Sequence, residues 1–206
     1  MDAPFAATLP CRGGDYPDWH RGRSRYALWS LPVECPRILA RLAEARARLG
    51  DWLHEDCRRQ AHITLFVCGF PAQSPQFDDD FPATRLAAQL DALRRLRAAP
   101  FVLRIGGLRS FASAPYLTVD DPDASLAPLR AALAAQGAEI RQAPYRPHLT
   151  VGRYARAVAH AELQRRLAAS VDHTPLSLPV RELHYATYAA ADLAGPLRCE
   201  RRLALD

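Results

Sequence analysis

Lysine is absent from this chain: all 27 of its Lys/Arg positions are arginine. The mobile ammonium contacts that often hold phosphate are therefore missing. Guanidinium forks, which grip phosphate oxygens bidentately, are available instead. An Ala- and Arg-rich coding bias accounts for the same absence without any ligand. The net charge of +5 suits an anionic ligand but does not identify one. No apolar run approaches the ~20 residues of a membrane span. Met1 to Arg25 lacks a basic region followed by an apolar stretch, so no secretory signal and no membrane partner are expected, and a cytoplasmic location is. No Cys-x-x-Cys occurs. Cys11, Cys35, Cys57, Cys68 and Cys199 are scattered and odd in number, which argues against a disulfide framework or a zinc knuckle. No aromatic-rich RNA-binding motif is present either.

What is there is the composition of an ordinary soluble globule, 49% apolar and 24% charged over 206 residues. That length suffices for one domain or one bilobal unit with a substantial core. Residues 1–24 hold Pro, Gly, Asp and Arg without period and read as a loose or draped segment, with Trp19 able to pin it to the body. Residues 25–206 read as the domain. Tyr26 to Leu31 reads as a first strand, with Tyr26 and Trp29 as core. Pro36 opens a helix whose Ile38, Leu42, Ala45 and Leu49 share a face, stopped by Gly50. His62 to Phe70 is strand-like, with Cys68 as core. Pro71 to Pro82 reads as a polar loop, its three consecutive Asp forming a solvated turn before a helix marked by Leu86, Leu90, Leu93 and Leu96. Metal binding by those Asp lacks a His or Glu spaced to help.

Phe101 to Leu108 and Tyr116 to Val119 read as a strand pair. Asp123 or Ser125 caps a helix carrying Leu126, Leu129 and Leu133, and Gly137 stops it. His148 to Tyr154 reads as a strand, Ala159 to Ala169 as a helix with Leu163 and Leu167, and Leu176 to Tyr188 and Leu197 to Leu203 as strands around Gly195-Pro196. Each half thus runs helix, strand, helix, strand pair. The expected class is α+β, bilobal, with antiparallel sheets backed by helices and a central cleft.

Two segments at matching places in this order share a pattern: His62-Ile63-Thr64-Leu65 and His148-Leu149-Thr150-Val151, 86 residues apart. With 7 His and 7 Thr in the chain, random placement gives roughly 0.24 His-x-Thr matches, and two occur in strand-like runs. On a strand, residues i and i+2 share a face. His62 and Thr64 therefore face one way and Ile63 and Leu65 the other, and the second segment repeats this. Histidine titrates near neutral pH, so two of them can hold opposite protonation states as general base and general acid. The two hydroxyls can bond the non-bridging oxygens of a phosphodiester and hold it in line. No metal and no cofactor is required. A two-His metal site lacks a carboxylate or Cys at ligand spacing.

The strings His62-Ile-Thr-Leu-Phe-Val-Cys-Gly69 and Tyr145-Arg-Pro-His-Leu-Thr-Val-Gly-Arg153 resemble the two signatures of the 2H phosphoesterase superfamily, which includes 2′-5′ RNA ligase-like proteins and cyclic nucleotide phosphodiesterases. The resemblance implies a bilobal α+β fold with the site between lobes. It implies His62, Thr64, His148 and Thr150 as catalytic residues, with His148 as base and His62 as acid. The implied reaction opens a 2′,3′-cyclic phosphate on a nucleotide or RNA end, leaving a 2′-phosphomonoester. Formation of 2′-5′ linkages at the same site, or nucleotide binding without turnover, are the alternatives. A monomer is expected.

Secondary contacts are open at this point. Phe66 shares the parity of His62 and Thr64 and could wall the cleft, stack on a base or pack in the core. Tyr145 and Arg146 lead into the second motif and could touch substrate. Arg153 falls by parity with Leu149 and Val151 and reads as support. His184 could face cleft or core. His20, His54, His160 and His173 read as surface.

Overall fold

The computed structural model describes residues 5–11, 16–55, 57–141, 143–169 and 174–206. His173 lies outside them. A helical turn, α1 (Pro17–His20), precedes β1 (Arg25–Pro32), α2 (Pro36–Leu49), β2 (His62–Ala72), β3 (Asp80–Pro82), α3 (Ala83–Leu96), β4 (Phe101–Ser110) and β5 (Pro115–Asp120). Then follow α4 (Leu126–Ala134), β6 (His148–Thr150), α5 (His160–Ala168), β7 (Leu176–Val180), β8 (Glu182–Ala189) and β9 (Arg198–Ala204). The class is α+β.

Eight strands form one curled sheet in the order β7-β4-β5-β6-β2-β1-β8-β9, antiparallel throughout, and β3 adds a short parallel pair to β2. The two lobes are halves of this sheet. Each contains a strand–helix–motif-strand unit: β1–α2–β2 in one and β5–α4–β6 in the other. The motif strands meet at the centre, and part of the chain that follows each motif crosses over to the opposite half. The β4–β5 hairpin, downstream of the first motif, pairs with β6 through β5; β8, downstream of the second, pairs with β1 and carries β9 on its outer edge, while β7 stays beside β4. The run read as a single strand from Leu176 to Tyr188 breaks at Arg181, because its two pieces pair at opposite ends of the sheet.

Helical periodicity explains which face is covered. Ile38, Leu42, Ala45 and Leu49 of α2 are buried as their spacing predicts, and join Leu31, Ile63 and Leu149 from the sheet in one core. Fully burying each of the Ile and Leu side chains is worth about 1.5–3 kcal/mol. Two local expectations are corrected. The α4 N-terminus is held by Asp121, whose carboxylate accepts from the backbone N–H of Ser125 (3.0 Å) and Leu126 (2.8 Å); neither Asp123 nor Ser125 supplies a side-chain cap. The Asp run is solvated only in part: Asp78 is exposed, but Asp79 and Asp80 pair with Arg23, and Asp80, 4% exposed, also accepts from the Gln76 and Phe77 amides.

The N-terminal segment is draped along the body where it is described. Thr8 exchanges bonds with Val158 and Arg156, and Cys11 N–H donates to the Tyr154 carbonyl. Trp19 joins Tyr26, Phe70 and Tyr188 in a second aromatic cluster, with Arg23 stacked 3.6 Å over Phe70.

Candidate active site

The centre of the sheet is where β2 meets β6. The pair is short, with Ile63 opposite Leu149. Both residues are fully buried, so the antiparallel register presents their neighbours on the other, open face. That register sets His62 across from Thr150, and Thr64 across from His148. All four are half-buried between buried aliphatics, as the alternation predicts. The flanking strands extend the row. Tyr116 and Thr118 on β5 oppose Thr150 and His148, while Ser30 on β1 lies between Thr64 and His184 of β8. These additions were invisible in the sequence, because nothing local to β1, β5 or β8 declares which strand it will pair with.

The two imidazoles are held alike. His62 Nδ1 lies 2.8 Å from the Gln60 carbonyl, and His148 Nδ1 lies 2.8 Å from the Arg146 carbonyl. A carbonyl only accepts, so each Nδ1 carries the proton and donates. In a neutral ring that leaves Nε2 with its lone pair, ready to take a proton. Burial lowers the proton affinity of both. His62 is pushed down to about 4, mainly by desolvation, with the charges of Arg59 and His148 adding to it. His148 is lowered by desolvation and then by Arg141 and Arg146. Burial thus favours the neutral form of both rings in the free protein, and arginines act on each from its own side.

The rest of β2 outruns β6, and its exposed backbone groups need partners. Helix α4 and the α4–β6 connection provide them. Arg130 donates to the Leu65 carbonyl, Glu139 accepts from Val67 N–H at 2.9 Å, and Ile140 N–H donates to the Val67 carbonyl. Arg130 also pairs with Glu139 at 2.7 Å and stacks 3.6 Å over Tyr145, whose hydroxyl donates to the Thr64 carbonyl at 3.2 Å. Tyr145 thus ties the second motif to the first strand through its hydroxyl. Arg146 presents its carbonyl to His148 and its guanidinium to the Tyr116 hydroxyl at 3.3 Å.

Phe66 departs from the expected parity. Strict alternation puts it on the cleft face, but a β-bulge inserts Leu65 between Thr64, opposite Ser30, and Phe66, opposite Trp29. The bulge shifts the alternation by one. Phe66 is 1% exposed in the main core and cannot wall the cleft. The second motif strand is also shorter than the expected His148–Tyr154. Past Thr150 the chain leaves the sheet, and Tyr154 is buried with its hydroxyl 2.6 Å from Ser110 Oγ. Arg153 accordingly reaches Cys11 Sγ at 3.3 Å. His184 lines a cavity beside His62 and bonds Glu182 through Nε2 at 2.6 Å. Among the described residues, no three His, Cys, Asp or Glu cluster as a metal site, and no helix is long and apolar enough to cross a membrane.

A family model described as the 2′-5′ RNA ligase superfamily matches residues 35–192. Similar folds occur in E. coli LigT complexed with 3′-AMP (19% identity, 88% of this chain and 98% of that chain, TM-score 0.61) and complexed with NADP+ (19%, 88% and 98%, 0.56). TT0787 of Thermus thermophilus is also similar (15% identity, 87% and 97% covered, TM-score 0.57). No curated protein sequence matches the chain.

Proposed function

We propose, from the premise that this chain belongs to the 2′-5′ RNA ligase superfamily, that its cleft opens 2′,3′-cyclic phosphodiesters by two-histidine acid–base catalysis. The observation that carries this reading is the register of β2 against β6, which sets each His across from the other motif's Thr. A phosphate seated among the four meets two hydroxyl donors, with an imidazole Nε2 available from each motif. LigT, similar in fold, has been crystallised with 3′-AMP and with NADP+, which supports a nucleotide-sized ligand here.

In this mechanism His148 Nε2 takes a proton from water, whose oxygen bonds to phosphorus as the P–O3′ bond breaks. His62 gives its Nε2 proton to the departing 3′ oxygen, and a 2′-phosphomonoester remains. The low proton affinity of His62 suits the donor role, because a weaker base is a stronger acid. Its proton arrives with the substrate: a phosphodiester anion beside a neutral ring favours the protonated form. Thr64 and Thr150 hold the non-bridging oxygens as charge grows on them. The arginines that lower both imidazoles, Arg59 on one side and Arg141 and Arg146 on the other, raise the local potential for an anion.

The test is turnover of 2′,3′-cyclic nucleotides and of cyclic-phosphate-ended RNA with EDTA present. The expected product is the 2′-phosphate, at a rate EDTA does not change. A 3′-phosphate product would overturn the leaving-group assignment, and loss of activity with EDTA would overturn the metal-free mechanism. Steep salt dependence confined to RNA substrates would mark a polynucleotide as the partner.

A further inference from the structure

Beside His62, on the side away from β6, lies a cavity of about 460 Å³. Its floor is the open face of the outer strands: Ser30 stands opposite His184, and Ala186 opposite Cys199. Its roof is the segment entering β2, fixed by Gln60. The Gln60 side-chain amide donates to the Leu197 carbonyl (3.2 Å) and accepts from the Leu197 N–H (2.8 Å), so the roof is tied down. His62 itself forms part of the wall, which puts the cavity next to the phosphate position proposed above.

The chemistry of the lining selects the occupant. Among the described residues no arginine lines the cavity, although the chain has 27 of them. Its charged wall group is the Glu34 carboxylate, and His184 is backed by Glu182. A second phosphate would meet negative charge there. The walls are otherwise apolar, contributed by Pro32, Val33, Leu39 and Leu197. A plain alkyl chain would fill the space but make no use of the Glu34 carboxylate at its edge. A flat, uncharged heteroaromatic ring with an N–H donor at its edge fits both the apolar walls and that acceptor, and the volume falls within the range of small-molecule sites, about 300–1,000 Å³.

Resting on the cyclic-phosphodiester reading, we propose that this cavity seats the nucleobase of the same nucleotide whose cyclic phosphate lies between the two His-x-Thr motifs. The His148 side, where Phe111 and Tyr116 pack around the ring and Arg146 approaches, is left for the attacking water or for further polynucleotide. The cavity thereby selects nucleotides over base-free sugar phosphates and orients the ribose relative to the two imidazoles.

The test uses Cys199, an exposed thiol on the edge strand β9 that lines the cavity. A Trp there fills the cavity from a strand that has room for it. In the C199W protein, the ratio of kcat/KM for adenosine 2′,3′-cyclic phosphate over a base-free methyl riboside 2,3-cyclic phosphate is expected to fall at least tenfold. An unchanged ratio overturns the proposal. So does a loss seen with a cyclic-phosphate-ended dinucleotide but not with the mononucleotide, because the cavity would then hold the neighbouring base.

A second readout needs no turnover. Alkylation of Cys199 in the wild-type protein, followed by mass spectrometry, is expected to slow with adenosine 2′-monophosphate and not with inorganic phosphate. Selective protection without any cyclic phosphodiesterase activity upholds the base seat while the reaction reading fails. Equal alkylation rates in the two additives overturn the base seat even where turnover is intact.

Discussion

The two motif strands carry the same His and Thr on different supports. In both, Nδ1 is tied to the carbonyl two residues back at 2.8 Å, a buried aliphatic follows, and a Thr comes next. Yet β2 runs for eleven residues, paired to β1 from His62 to Gly69, while β6 runs for three and relies on β5. His62 borders an apolar cavity; His148 is boxed edge-on by Phe111 and Tyr116, at 5.0 and 5.6 Å between ring centroids. The difference separates two requirements. Proton transfer needs only the repeated His and Thr geometry, which the near-symmetric register supplies. Orientation of a substrate needs the halves to differ, and they differ outside the motifs.

The largest effects belong to the histidines, where the halves are most alike. His62→Ala and His148→Ala are each expected to lower kcat/KM on a 2′,3′-cyclic nucleotide by about 10²- to 10⁴-fold, the usual worth of a general acid or base. Near-UV circular dichroism should stay unchanged. Full activity in either variant would reduce the pair to a single working residue.

Next come the hydroxyls. Thr64→Val and Thr150→Val remove one donor each to a charged phosphate, so kcat/KM should fall about 10- to 100-fold in both. A loss in one alone would show that the phosphate leans on a single half.

The pH profile reads the two environments together. Both imidazoles are lowered from 6.5, yet the reaction needs one of them protonated. In the free protein, the singly protonated form declines about tenfold per pH unit above the higher of the two values. The maximum of kcat/KM should therefore lie on the acid side of pH 6.5. The bound anion restores proton affinity, so the falling limb of kcat should sit at higher pH than that of kcat/KM. A kcat/KM maximum above about pH 7.5 would contradict the assigned environments.

Smaller effects test the supports. Arg130→Met leaves the Leu65 carbonyl without its donor and takes one of the partners of Glu139, and should destabilise the fold by about 1–3 kcal/mol in urea unfolding. Phe111→Ala removes the edge contact on His148 and the stack on Tyr116, and should cost about 0.5–1.5 kcal/mol of stability for each ring pair. A larger drop in activity than that energy explains would assign Phe111 a substrate contact.

Local signals carried much of this molecule. The face of α2, the four motif residues and their alternation were readable because 3.6- and 2-residue periods report burial directly. What failed was decided by distant partners. Phe66 left the cleft because a bulge at Leu65, set by the pairing with β1, shifted the period. The run after Leu176 split because its halves pair at opposite ends of the sheet. Two residues of the Asp run, Asp79 and Asp80, were drawn in by Arg23, more than fifty residues away. Nor could the cavity beside His62 be foreseen, since it exists only once β1, β8, β9 and the Gln60 strap converge.

In the proposed mechanism His62 and His148 act as one unit across the β2–β6 seam. The most direct measurement is kcat/KM of His62→Ala, His148→Ala and the double variant on one cyclic nucleotide. Members of a concerted pair are non-additive, so the double variant should fall to within about threefold of the weaker single variant. Losses that multiply, each residue's effect surviving in the absence of the other, would contradict it.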